Sequence, residues 1–251
     1  MVLIVVCLGG LFAGIATGLV GLSAAAIIVP LLTTLLGVDA YIAVGIALSS
    51  DVLASLLSAK MYHKYGNIDI KNGIFMLGAV LFFTFVSSYG SSFMDTGHLG
   101  SLMNVFALFL GFRFYFRKNE ESKKILKIKH PIIQSVLWGS IIGCICGYIG
   151  AGGGLMLLVI LVRILGYDTK KAVGTSVFIM GFAALTGAIS HIALGGTNLL
   201  FLVVSVFSAT VGALVASKFA NVISEEKSNK VVGIFLILLG IVLTIINHYL
   251  S

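Results

Sequence analysis

The sequence predicts an all-α integral membrane protein of two inverted repeats. Each repeat has about five helical elements, the first two being short, broken helices around a glycine-rich turn. Three observations lead there. The 251 residues are 59% hydrophobic and 10% charged, with a mean hydropathy of +1.14, whereas a soluble domain carries about 25% charged residues. Apolar runs recur along the whole chain, several of them long enough for the ~20 residues of a bilayer crossing, without the two-residue alternation of a β-barrel. Finally, the chain repeats itself at an offset of 129 residues.

The repeat rests on residues that composition alone would not align. Gly14, Gly18 and Gly21 fall on Gly143, Gly147 and Gly150, and Gly37 and Asp39 fall on Gly166 and Asp168. Ala43-Val44-Gly45 falls on Ala172-Val173-Gly174, and Phe106, Leu110 and Gly111 fall on Phe235, Leu239 and Gly240. The organisation is a first membrane repeat at 1–116, a basic linker at 117–130 and a second membrane repeat at 131–251.

In the first repeat the elements are expected at 2–17, 24–36, 41–63, 72–90 and 98–114. In the second they are expected at 131–148, 153–165, 170–192, 197–218 and 229–248. The opening MVLIVVCLGG lacks a positively charged n-region and reads as a membrane element rather than a signal peptide. Residues 131–165 as one helix would be about 52 Å long, against a hydrocarbon core of about 30 Å. A break is required, and GYIGAGGG from Gly147 supplies it; Gly18 to Ser23 is its counterpart. Glycine is costly inside a helix, so its concentration there marks a turn.

Charge distribution supports five elements per repeat. With the linker inside, loops at 60–71, 163–171 and 218–230 are inside too, and all 16 Lys and Arg residues lie at or near inside ends. Four spans per repeat would move Arg163, Lys170, Lys171, Lys218, Lys227 and Lys230 outside. An odd number of elements inverts the second repeat. The expected topology is a multi-pass cell-membrane protein with a cytoplasmic linker and both termini outside. Two short crossings and a re-entrant hairpin both satisfy the charge pattern. The net charge of +7 is therefore topogenic, and no nucleic-acid partner is expected.

Inverted repeats with discontinuous helices are a transporter signature. In lipid an unpaired backbone amide costs several kcal/mol, so a break survives only when buried in protein or lining a cavity. Its free N–H groups and the positive end of the next helix favour an anion. The candidate cradle comprises Gly150, Gly152, Gly153, Gly154 and Leu155. Its counterpart is Gly21 to Ala25, where Ser23-Ala24-Ala25 replaces the glycines and Ser23 offers a hydroxyl. Thr175 and Ser176 in one repeat, and Ser49, Ser50 and Asp51 in the other, add polar groups on the next helix. Asp51 lies about 15 Å into its helix, where a carboxylate is expensive and functional by default. It is expected to be a coupling or gating group, protonated or offset from the anion when substrate binds.

Other polar residues read as structural. Gly14-x-x-x-Gly18 and Gly143-x-x-x-Gly147 also fit close helix packing. Asp39 and Asp168 suit helix caps, and His63 and His191 suit helix ends. Cys7, Cys144 and Cys146 form no CxxC motif and suit packing. No HExxH, Ser/His/Asp set or Cys/His metal spacing occurs, so neither an enzyme nor a cofactor or metal is expected.

Two segments, GCICGYIGAGGGLMLLVILVRILGYDTKKAVGTS and GIATGLVGLSAAAIIVPLLTTLLGVDAYIAVGIALSS, resemble the TauE/SafE sulfite exporter family, part of the toluene sulfonate uptake permease superfamily. The resemblance covers almost the whole chain and is more specific in the second repeat. It implies a secondary transporter, an exporter or permease, for small sulfur-containing anions such as sulfite or organosulfonates, with H⁺ or Na⁺ as coupling ion. The first repeat departs from the pattern, having Ser23-Ala24-Ala25 for GGG and Ala47-Leu48 after AVGI. Transport of a cation or neutral solute through Asp51, or a structural membrane subunit, remain alternatives, and a homo-oligomer stays open.

Overall fold

The computed structural model of the chain describes residues 2–91, 131–149, 153–195 and 197–250. The element expected at 98–114, the linker, Gly150 and Gly152 lie outside them. The described residues form nine helices. In the first half, α1 is Val2–Val20, α2 is Ala25–Pro30 continued by a π turn at Leu31–Leu35, α3 is Ala40–Lys64 and α4 is Ile70–Ser91. In the second half, α5 is Pro131–Ile149, α6 is Gly153–Val159 continued by a π turn at Ile160–Ile164, and α7 is Thr169–Gly195. Helices α8, Leu199–Val222, and α9, Glu225–Leu250, complete it. Helices α1, α3, α7 and α8 contain spans long and apolar enough to cross a membrane, and α4, α5 and the α6 segment contain shorter apolar stretches.

The first break is narrower than the glycines suggest. Helix α1 runs through Gly18 to Val20, and only Gly21–Ala24 leave the helix. Helix α8 runs to Val222 rather than 218, and α9 starts at Glu225 rather than 229. The polar residues there finish helices instead of forming a long loop.

The 129-residue repeat persists in local geometry. The π turns at Leu31–Leu35 and Ile160–Ile164 are in register. Each is followed by a left-handed glycine, Gly37 at φ 61° and Gly166 at φ 69°. Val38 N–H then bonds Leu32 O at 3.0 Å, as Tyr167 N–H bonds Leu161 O at 2.9 Å. Pro30 precedes the first π turn but Val159 precedes the second, so proline does not cause the shared shape. A left-handed glycine closing the helix is common to both.

Glycines let backbones touch, and their order gives helix directions. Gly14 and Gly18 of α1 face Ala209 and Ala213 of α8, and a Cβ at Gly18 would stand 2.5 Å from Ala213 O. Contact numbers rise together, so α1 and α8 run parallel. Gly139 and Gly143 of α5 face Met76 and Val80 of α4, with a Cβ at Gly143 2.6 Å from Val80 O. These helices are parallel too, and the two pairs are repeat equivalents. Helices α3 and α7 run antiparallel: Gly174, Gly181 and Gly187 meet Tyr62, Leu56 and Leu48. Helix α2 folds back along α1, since Gly9 faces Leu31.

The main core crosses both halves, joining Val20, Leu22, Tyr62 and Val80 to Ile142, Leu158, Leu161 and Val173. Phe85, Leu199 and Phe207 are exposed, a surface suited to hydrocarbon rather than water. Cys7 and Cys144 are also exposed instead of packing in the core. The side chain of Cys146 lies outside the described ones.

Gly14→Leu is expected to lower stability in detergent by about 3 kcal/mol or more, because added volume must part α1 from α8. Gly78, with nothing within 4 Å of an added Cβ, is the control. Thermal unfolding should show Gly78→Ala unchanged or more stable by up to about 1 kcal/mol.

Candidate functional site

The site is built around the first break. A helix end leaves carbonyls and amides without helical partners, and here several of them find one. Gly21, at φ 70°, turns the chain, and its N–H bonds Thr17 O at 2.9 Å. The Thr17 hydroxyl lies 3.0 Å from Ala13 O and 2.8 Å from Leu22 O. Tyr62 of α3 donates its hydroxyl to Gly18 O at 2.9 Å.

On the other side of the break, Asp51 serves the start of α2. It is fully buried on α3. Ser23 donates to its Oδ2 at 2.7 Å and Ser55 to its Oδ1 at 2.9 Å. The Ala24 N–H also interacts with this carboxylate. Ser23 Oγ accepts in turn from Ala25 N–H at 3.3 Å. A carboxylate against free amides and a positive helix end is a favourable pairing.

The start of α6 touches the first break. A Cβ at Gly154 would overlap Gly21 O and stand 3.1 Å from Ser23 N, and one at Gly21 would overlap Ser176 Oγ. Ser176 is buried on α7 and donates to Val173 O at 2.8 Å. Gly21, Ser23, Asp51, Gly154 and Ser176 thus converge from both halves. Gly153 and Leu155 are buried beside them at the start of α6. At the positions of α7 that match Asp51 and Ser55 by repeat, the chain has Met180 and Ala184, both buried. The second break therefore receives no carboxylate from that register.

Three expected site residues lie elsewhere. Thr175 Oγ1 accepts from Asp69 N–H at 3.0 Å, at the entry to α4. Ser49 donates to Gly45 O at 2.7 Å within its own helix. Ser50 bonds Ile46 O at 2.9 Å and lies 3.0 Å from Ser205 Oγ of α8. Conversely, Ser55, Thr17 and Tyr62 belong to the break and were not among the expected residues. Ser55 is one helical turn from Asp51, a spacing that puts both on one face. Among the caps, Asp39 Oδ1 accepts from Tyr41 N–H at 2.9 Å. His63 is exposed near the end of α3, and the His191 side chain lies outside the described ones.

A second polar cluster joins the loops 65–69, 165–168 and 223–224 at one end of the bundle. Asp69 accepts from the Tyr167 hydroxyl at 2.7 Å and from Asn72 Nδ2 at 2.9 Å, with Lys171 Nζ at 3.6 Å. Lys171 also stands 4.9 Å over the Tyr167 ring. Lys170 donates to Asn221 O at 3.0 Å and to Ile223 O. Burial works to raise the Asp69 pKa, but bonds from Asn72 and Tyr167 and the charge of Lys171 outweigh it and hold the carboxyl below its ordinary value. Burial and the bond to Asp69 push the Tyr167 phenol up.

A polytopic helical bundle in which a helix break of one half meets the start of a short helix of the other in its interior has the construction of a membrane transporter. The family model described as Sulfite exporter TauE/SafE matches residues 6–243. YunE of Bacillus subtilis (strain 168), described as a probable membrane transporter protein, is 24% identical over 92% of this chain and 93% of its own length. YdhB of the same strain, described in the same words, is 24% identical over 84% of this chain and 88% of its own. A probable membrane transporter protein of Methanocaldococcus jannaschii is 29% identical over 73% and 70%. No solved structure matches. The chain belongs to the TauE/SafE sulfite exporter family and is a multi-pass integral membrane protein.

Because folding depresses the Asp69 pKa, its contribution to stability is present above the ordinary aspartate pKa and is lost as pH falls through the depressed value. Melting profiles in detergent should decline on acidification, and Asp69→Asn should flatten that decline. Ser55→Ala is expected to cost about 1.5–3 kcal/mol, the range for a hydrogen bond to a charged group, measured by the same unfolding.

Proposed function

We propose that the chain is a secondary transporter of small sulfur-containing anions, such as sulfite or organosulfonates, working by alternating access as an exporter or permease. The observation that carries this reading is the contact of Gly154, at the start of α6, with the first break at Gly21, with Asp51 in one half and Met180 at the matching position of the other. Free amides at the start of a helix and a positive dipole end suit an oxyanion with several acceptor oxygens. Of the expected donors, the reading retains the amides of Gly153, Gly154 and Leu155, with Gly150 and Gly152 next to them in sequence; the Ser176 hydroxyl, which donates to Val173 O, has to turn to join them. Ser23 is already engaged with Asp51, and Thr175, Ser49 and Ser50 bond elsewhere. Asp51 is the coupling or gating group, with H⁺ or Na⁺ as the ion.

Inverted repeats are supported by the antiparallel crossing of the equivalent helices α3 and α7. A cytoplasmic linker and external termini are supported by the basic loops around Lys170 and Lys171 meeting the 65–69 loop at one end. Tight α1–α8 and α4–α5 interfaces cross between repeats, so moving bodies that keep these interfaces intact are not the two sequence halves.

A cation transporter is the rival, favoured by the oxygens of Ser23 and Ser55 gathered on a buried carboxylate. Sulfite and Na⁺ binding to purified protein separate the two. Loss of Na⁺ binding alone in Asp51→Asn, with no sulfite binding by wild type, would favour the cation. The transport reading expects sulfite flux into proteoliposomes that falls to background in Gly153→Leu and persists in Gly78→Ala. Flux untouched by Gly153→Leu would sink it.

A further inference from the structure

We infer that Asp51 is the resident anion of the first break: a carboxylate tethered where the repeat would otherwise leave amides for an external one. The role of Asp51 at its own break does not rest on the transport reading above.

The geometry differs from that of an incidental buried aspartate. Both carboxylate oxygens are engaged, Oδ2 by Ser23 at 2.7 Å and Oδ1 by Ser55 at 2.9 Å. Ser23 reaches Asp51 across 28 positions in sequence, from the break itself, and Ser55 from one turn along α3. Ser23, Ala24 and Ala25 replace the three glycines in this half; Ser23 bonds Asp51 through its hydroxyl, and the Ala24 backbone N–H also interacts with it. The substitution of Ser-Ala-Ala for Gly-Gly-Gly and the presence of Asp51 thus belong together. Where the glycines are kept, the matching position of the next helix is Met180. One half carries an internal acceptor and a hydroxyl to meet it; the other carries neither.

An internal ligand can be removed and replaced from solution. Asp51→Gly in the full-length chain, purified in detergent, deletes the carboxylate and leaves a cavity beside Ser23, Ser55 and the Ala24 amide. We expect its melting temperature to fall and sodium formate to restore most of the loss, rising with the logarithm of formate concentration. Sodium gluconate, too large for the cavity, controls for sodium and ionic strength. Wild type and Asp51→Asn, in which the volume is filled, should not respond to formate.

An Asp51→Gly variant as stable as wild type, or stabilised equally by formate and gluconate, would overturn the inference. If Asp51→Gly yields no folded protein, Asp51→Asn decides. Neutralising a buried carboxylate with no task is neutral or stabilising, so a melting temperature at or above wild type overturns the inference and a lower one supports it. Sulfite binding to wild type is read separately. Its absence would remove the transport reading while leaving the formate result intact.

Discussion

In a hydrocarbon surround, no backbone polar group can be left without a partner. That requirement governs the centre of this molecule. Opening a helix at Gly21 frees amides and carbonyls where water cannot reach them. Thr17 and Tyr62 serve the carbonyl side, and Ser23 and Asp51 serve the amide side. The partners come from α1, the break itself and α3. The turn is therefore stable only in the assembled bundle, which ties the shape of the site to the packing of the whole.

That packing is made by absence of side chain as much as by its presence. Leucine against leucine gains little over leucine against lipid. What lipid cannot match is backbone lying directly on backbone, as at Gly14 on Ala209 and Gly143 on Val80. These contacts hold each hairpin's first helix against the fourth helix of the other half. They bring the first break and the start of α6 together at Gly21 and Gly154, although no sequence neighbour links them.

Much of the architecture was legible because its causes are local. Helix positions follow from apolar runs, the breaks from length against bilayer thickness, and the repeat from ordered glycines. The site was less legible because adjacency in sequence is not adjacency in space. Thr175 and Ser176 are neighbours, yet successive helical residues point about 100° apart. One reaches the entry to α4 and the other the break. Ser49, Ser50 and Asp51 divide in the same way, and only Asp51 faces the turn. The pairing of Ser23 with Asp51 required knowing which helix crosses which. A sequence of one chain does not state that, whereas the i, i+4 relation of Ser55 to Asp51 was open to inspection.

The parallel pairing of α1 with α8 also bears on how the chain is made. Helix α1 is made long before α8, and its glycine face waits for a partner that begins only at Leu199. Until then its small residues border lipid, which fills their groove loosely. The equivalent pair, α4 with α5, is separated by far less chain and can close early. Two interfaces of the same chemistry thus form at different stages of synthesis. The α1–α8 interface clamps the first broken hairpin into place only once α8 is made, so a protein truncated before α8 would retain most of its helices but lack the interface that holds α1.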